Sequence, residues 1–259
     1  MIGIIPAAGA GRRMQPLGFS KELLPVGARI VDGVERPKAV SEYLVERMVA
    51  AGAQEICMII SAEKADIVKY YGERDYGADI FFTVQPRPQG LCDALFRATP
   101  FARRHEQVLI GLPDTIWFPE DAFLRALDFR QAGVNLVLFP STHPSAFDAV
   151  LCDELGFVQR VQVKHARPAS GWIWGAIATQ GECFFRLQSV WESRRHYDEY
   201  FGDLLNAFLA DGNPVRGQHC GDVYMDVGTL EGYRAAQDYL RAKQRILPAF
   251  SNFLKSQTE

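Results

Sequence analysis

The sequence predicts an α/β fold, a mostly parallel central sheet covered by helices, and three observations predict it. Short apolar runs alternate with amphipathic stretches from Ile2 to Phe139. The runs are continuous rather than alternating in polarity, as expected of strands buried on both faces. Glycines and prolines punctuate the junctions, at the rhythm of strand–helix–strand crossovers.

Ile2 to Pro6 ends in a glycine-rich turn and reads as the first strand. Ala39 to Ala51 carries Val40, Tyr43, Leu44, Met48 and Ala51 at helical spacing, and Gly52 stops it. Ile56 to Ile60 and Ile80 to Val84 read as the next two strands, and Leu91 to about Ala98 as a helix. Val108 to Leu112 is a fourth strand, Glu120 to Ala132 a helix and Val134 to Phe139 a fifth strand. After Pro140 the rhythm changes. Phe147 to Cys152, Phe157 to Lys164 and Trp172 to Thr179 read as strands in direct succession, which predicts an antiparallel or mixed extension. Helices at Cys183 to Arg194 and Tyr197 to Ala210 follow, then a strand at Pro214 to Cys220 and a helix from Leu230 to Arg245. No Pro-, Gly- or Ser-rich linker and no repeat breaks the chain, so residues 1–259 are expected to form one domain with two lobes, 1–140 and 141–259.

Composition excludes several function classes. Hydrophobic residues make up 48% and charged residues 23% of the 259, an ordinary globular balance. The 28 Lys+Arg against 31 Asp+Glu give a net charge of -3, which argues against a dedicated nucleic-acid binder. No apolar stretch approaches the length of a membrane span. The opening places its arginines after the short apolar run, the reverse of a signal peptide. The five cysteines are scattered without a C-x-x-C pair and read as reduced thiols. A cytoplasmic protein without nucleic-acid or membrane partners is expected. The five histidines share no metal-ligand spacing, and Arg194-Arg195 ends a helix whose dipole it would complement.

Gly9-Ala10-Gly11-Arg12-Arg13 follows the first strand. Ligands of open parallel sheets bind at the carboxyl ends of strands, where glycines let backbone N–H groups approach phosphates. Two arginines in the same turn add charge-assisted donors. The plainer alternative is a tight turn with two solvated arginines. A dinucleotide fingerprint would need a third glycine where Met14 stands, and no P-loop pattern exists. Lys21, in Ser20-Lys21-Glu22-Leu23-Leu24-Pro25, can return to the same phosphates, although a lysine taken alone reads as a surface residue.

Pro6-Ala7-Ala8-Gly9-Ala10-Gly11-Arg12-Arg13-Met14 together with Ser20 to Val26 resembles the signature of the sugar-1-phosphate nucleotidylyltransferases, the glucose-1-phosphate thymidylyl- and uridylyltransferases in particular. The opening block is also similar to that of isoprenoid-pathway cytidylyltransferases. Gln85-Pro86-Arg87-Pro88-Gln89-Gly90-Leu91 resembles the base-reading segment of the thymidylyl type. Leu112-Pro113-Asp114 resembles a first metal-ligand turn, and Tyr224-Met225-Asp226-Val227-Gly228-Thr229 a second. These segments stand in the family's order.

The resemblance implies a Rossmann-like, GT-A-type sheet, with the mixed β extension forming the sugar side of the cleft. It implies a transfer in which the phosphate of a sugar 1-phosphate attacks the α-phosphorus of UTP or dTTP, releasing pyrophosphate. Arg13 and Lys21 are then the catalytic cations, and Ala8, Gly9, Gly11, Arg12, Gln85 and Gly90 bind the nucleotide. Asp114 and Asp226 are the Mg²⁺ ligands, since that ion takes one or two carboxylates and fills its shell with phosphate and water oxygens. Lys164, Asp148 and Trp174 lie on the sugar-phosphate side.

Several positions depart from the family. Arg12 replaces a threonine and either adds a phosphate contact or faces water. Val163 stands where a glutamate precedes the lysine of relatives, and Phe147-Asp148 replaces a tyrosine–glycine pair. Trp172 and Trp174 share one strand face, and simple sheet packing accounts for at least one of them. These departures bear on the sugar and leave the phosphate chemistry intact. Two alternatives remain open at this point: a cytidylyltransferase acting on an alcohol or sugar phosphate, and a silent nucleotide-sensing subunit. The resemblance also leaves a homo-oligomer open.

Overall fold

A computed structural model describes residues 1–256 except 73, 128–132, 196, 197 and 199, with the side chains of 244–256 also outside the description. In chain order the elements are β1 (Ile2–Pro6), β2 (Pro25–Val31), β3 (Val34–Ala39), α1 (Val40–Ala50), β4 (Glu55–Ile60), α2 (Ala65–Gly72) and β5 (Asp79–Val84). There follow α3 (Gly90–Phe96), α4 (Thr99–Ala102), β6 (Gln107–Gly111), β7 (Thr115–Phe118), α5 (Ala122–Leu127) and β8 (Val134–Pro140). The remainder is β9 (Ala149–Cys152), β10 (Val158–Gln162), β11 (Trp172–Gln180), α6 (Gly181–Ser193), α7 (Phe201–Ala210), β12 (Val215–Gln218), β13 (Val223–Asp226) and α8 (Leu230–Ser256).

The apolar run at the N-terminus lies inside the sheet because both of its faces are covered. Ile2 and Ile4 join one core with Leu95, Phe184 and Phe208, while Ile5 joins the other with Leu44 and Phe123. β1 pairs in parallel with β4 and β6, and β4 with β5, which gives the parallel half β5-β4-β1-β6. β11 then runs antiparallel to β6 along Ala176–Gln180, and its N-terminal end meets β9 at Ile173. On its other edge β11 pairs antiparallel with β8, which carries β12 in parallel. The expected antiparallel extension is present, and it shares one nine-stranded sheet with the parallel half.

Three features escaped the sequence reading. The hairpin β2–β3 turns at Asp32-Gly33, both with positive φ (51° and 75°), the backbone that an Asp-Gly pair serves in a two-residue hairpin. α2 buries Ile67 and Tyr71, one helical turn apart. β7 and β13 form a separate antiparallel ladder. The expected helix from Glu120 is seen as Ala122–Leu127, with 128–132 outside the described residues. The helix expected from Tyr197 begins at Phe201, and 197 and 199 lie outside the described residues. Among the described residues no helix is long and apolar enough to cross a membrane. The five cysteines are unpaired, and burial pushes the Cys57 thiol up to about 12. Arg194 does more than face a helix end, since its guanidinium grips the buried Asp198 carboxylate at 2.8–3.1 Å.

Candidate functional site

The glycine-rich loop leaves the carboxyl end of β1 at the centre of the sheet. Gly11 has φ 63°, and a Cβ there would lie 2.9 Å from Lys21 Cδ, so the left-handed turn and the close passage of Lys21 both call for glycine. A Cβ at Gly9 would meet nothing within 4 Å, so this stretch of backbone faces open space. Arg12 and Arg13 stand on a short 3₁₀ turn after Gly11, and both are exposed.

A buried pair fixes this loop. Lys64 Nζ donates to the Ala7 carbonyl at 2.6 Å and to both carboxylate oxygens of Glu22 at 2.8 Å. Burial pushes the Glu22 carboxyl above the usual carboxylate range, against the pull of Lys64. The amide and hydroxyl of Ser20 both donate to Asp66 at 2.6 Å. Burial pushes the Asp66 carboxyl up, but these two bonds and the amide of Ile67 outweigh it and hold it below its ordinary value. α2 therefore clamps the Ser20–Leu24 segment beside the glycine loop. The sequence expectations do not name Glu22, Lys64 or Asp66 as site residues; the apolar spacing of Ile67 and Tyr71 is a signal for the helix that carries Asp66, and no local pattern marks the other two.

A cleft of about 650 Å³ opens here, bounded by Ala8 and Ala10 of the loop, Ser20, Lys64, and Gln85 with Pro86. Gln85 is 5% exposed, and its Nε2 donates to Asp93 at 2.7 Å and to the Gly90 carbonyl at 3.1 Å. Gly90, with φ 91°, opens α3. The structure thus brings Ala8 and Gln85 to one cleft and places Gly90 against the Gln85 amide.

Asp114 and Asp226 are brought together by the β7–β13 ladder. Asp226 lies opposite Thr115, and the Val227 amide donates to the Asp114 carbonyl at 2.8 Å. Lys21 Nζ pairs with Asp114 at 2.5 Å, and Arg13 with Asp226 at 3.1 Å. Burial pushes the Lys21 ammonium down, but Asp114, with Glu22 and Asp226, more than offsets it, so its pKa is raised. A Cβ on Gly228 would sit 2.8 Å from oxygens of both aspartates and 2.9 Å from Arg13. The absent side chain leaves a small space between two carboxylates, suited to a hard cation that takes its remaining ligands from phosphate and water. Among the described residues no third His, Cys, Asp or Glu completes a metal cluster, so an all-protein cage is not what this pair forms.

On the far side of the sheet extension, Asp148 precedes β9 and Lys164 follows β10. The Lys164 amide donates to Asp148 at 3.4 Å, and Lys164 Nζ to the Ala146 carbonyl at 2.7 Å. Burial raises the Asp148 carboxyl, against Lys164 and the Trp174 indole. Trp174 is 8% exposed and packs on Phe201 with ring centres 5.7 Å apart, while Trp172 is half-buried and meets His219 edge-on. Of the two tryptophans, Trp174 is the core residue.

The model of the family described as Nucleotidyl transferase matches residues 2–243. The chain belongs to the nucleotidyl transferase family. Among members of that family, a glucose-1-phosphate thymidylyltransferase from Neisseria meningitidis is 28% identical over 95% of this chain and 84% of its own length. A UTP–glucose-1-phosphate uridylyltransferase from Mycoplasma pneumoniae is 25% identical over 93% of this chain and 92% of its own. The solved structure of a UDP-glucose pyrophosphorylase from Acinetobacter baumanii superposes with a TM-score of 0.76 at 19% identity, covering 96% of this chain and all of that one. The nucleotidyl transferase relationship spans both halves of the sheet, so the α/β fold with its mixed extension belongs to the family.

Proposed function

We propose that this chain transfers UMP or dTMP from a nucleoside triphosphate to a sugar 1-phosphate, giving a nucleotide-sugar and pyrophosphate. The observation that carries this reading is the meeting of Asp114, Asp226, Lys21 and Arg13 at the mouth of the glycine loop. In this reading the 1–140 lobe holds the nucleotide and the 141–259 lobe the sugar. The attacking oxygen of the sugar phosphate bonds to the α-phosphorus as the bond to the bridging oxygen of pyrophosphate breaks, so the protein's share is positioning and charge stabilisation.

Lys21 is held by Asp114 at the α-phosphate position. Arg13 has a 62% exposed side chain, and its ion pair with Asp226 is of the weak surface kind, so it can turn to the leaving pyrophosphate. The Asp114–Asp226 pair would hold Mg²⁺, which supplies charge neutralisation of the phosphates. Ala8, Gly9 and Gly11 offer backbone to the triphosphate, with Arg12 beside them. Gln85 and Gly90 face the base, and Lys164, Asp148 and Trp174 belong to the sugar side. Retention of Arg13, Lys21 and both aspartates speaks against a silent sensing subunit.

The test is direct. The protein is incubated with Mg²⁺, each common nucleoside triphosphate and a panel of sugar 1-phosphates, and pyrophosphate release is measured. Release that requires UTP or dTTP together with a sugar 1-phosphate supports the reading. Release only with CTP and an alcohol phosphate would assign the chain to the cytidylyl type instead.

A further inference from the structure

Asp93 stands on α3, outside the segments that carry the proposed chemistry, and shares its carboxylate between two donors. Its Oδ2 accepts Gln85 Nε2 at 2.7 Å and Arg97 Nε at 2.9 Å, while Oδ1 accepts Arg97 at 3.1 Å. The other partner of Gln85 Nε2 is the Gly90 carbonyl. A carboxylate gripping an arginine fork and a backbone carbonyl can only accept hydrogen bonds, so the nitrogen of the Gln85 amide must face them. Its oxygen is turned the other way, in a side chain that lines the cleft.

We propose that Asp93 is a positioning residue that fixes the Gln85 amide with Oε1 outward, and so selects uracil or thymine over cytosine. This rests on the reading of Gln85 as the base contact. Uracil and thymine carry a hydrogen on N3 that an outward oxygen accepts. Cytosine presents a lone pair at N3, which would oppose that oxygen and leave it unpaired. Arg97 sharpens the dependence. With the Asp93 carboxylate gone, its guanidinium is left beside the Gln85 amide and attracts Oε1, which turns the amide nitrogen outward toward an N3 acceptor.

The experiment is calorimetric binding of UTP, dTTP and CTP with Mg²⁺ and no sugar phosphate, to wild type, Asp93→Ala, Arg97→Met and Gln85→Ala. Wild type should bind UTP and dTTP at least about tenfold more tightly than CTP, the scale of one hydrogen bond gained or opposed. Asp93→Ala should cut that ratio by about tenfold, through weaker UTP and stronger CTP binding. Arg97→Met breaks the same ion pair but keeps the acceptor, so its ratio should stay near that of wild type. A uniform loss for all three nucleotides in Asp93→Ala, or an equal fall of the ratio in Arg97→Met, overturns the positioning role. A wild type that favours CTP overturns it as well. If Gln85→Ala keeps the wild-type ratio, the base-contact reading itself fails. A Gln85→Ala that loses the ratio while Asp93→Ala keeps it removes Asp93 alone.

Discussion

The Val227 amide donates to the Asp114 carbonyl at 2.8 Å, and this backbone bond extends the β7–β13 ladder to join two segments more than a hundred residues apart in one site. Asp114 comes directly after the loop from β6, whereas Asp226 closes β13. The ladder between β7 and β13 sets their register, with Asp226 opposite Thr115. Gly228 then turns its amide back to Asp226 Oδ1 at 2.8 Å, which holds that carboxylate toward its partner.

Removing one charge from that pair should stop the chemistry without unfolding the chain. Asp226→Asn keeps the shape, so turnover at fixed Mg²⁺ should fall by at least about a hundredfold. The melting temperature should stay close to that of wild type. Pyrophosphate release at near-normal rate would take Asp226 out of the metal site.

Filling the space between the carboxylates should act differently. Gly228→Ala puts a methyl 2.8 Å from both aspartates and forces their ends apart. The atoms that must yield are side-chain tips, so the loss should appear in turnover and in the Mg²⁺ concentration needed, with little change in thermal stability. A variant with unchanged Mg²⁺ dependence would show that the carboxylates need no such approach.

Phosphate chemistry and sugar choice should separate by mutation. Arg13→Ala should lower turnover with every sugar 1-phosphate, because its charge acts on the transferring groups. Asp148→Gly should instead reorder the sugars and leave the best turnover within about tenfold, since a carboxylate accepts hydroxyl hydrogen bonds that glycine cannot. The measured quantity is kcat/KM for each sugar. Equal scaling of all sugars by Asp148→Gly would move the sugar pocket elsewhere.

Asp148 also predicts a pH effect on stability. Burial raises its carboxyl pKa above the ordinary 3.8 in the folded chain. Stability from its protonated form is therefore fully present below that ordinary value and is lost as pH rises through the raised one. Asp148→Asn has no such loss, so the variant should gain on wild type in urea melts as pH rises above that ordinary value. A difference that does not change with pH would contradict the raised value.

The Lys64–Glu22 pair predicts a large structural cost. Glu22→Met leaves a buried ammonium with the Ala7 carbonyl alone of its three acceptors, and should destabilise the fold by about 3 kcal/mol in urea melts. The double change with Lys64→Met should recover most of that loss, because two apolar side chains replace a desolvated pair. Failure of the double change to recover would mean that Lys64 acts chiefly by holding the glycine loop.

Sequence alone determined the parallel half of the sheet, because β1, β4 and β6 are buried on both faces and read as continuous apolar runs, while the half-exposed edge strand β5 is marked by its β-branched and aromatic residues Ile80 to Val84. β1, β4, β5 and β6 all lie within a residue of where Ile2, Ile56, Ile80 and Val108 placed them. The glycine loop was legible for a local reason: Gly11 carries a left-handed φ that its own residue type announces. The Asp32-Gly33 turn is equally local, since both residues tolerate the positive φ that it needs. Other features were decided only in three dimensions. The residues that Lys64 Nζ bonds, Ala7 and Glu22, come from segments remote from it in the chain, and no local pattern marks a lysine as buried. Trp172 and Trp174 look alike in sequence, yet packing against Phe201 buries one of them and leaves the other at the edge. The orientation of Gln85 depends on two acceptors supplied by the following helix, a consequence of how Gly90–Phe96 folds back on the loop. Periodicity records which face of an element is buried. Which charged groups meet there is set by register between distant strands, and only the folded chain fixes that.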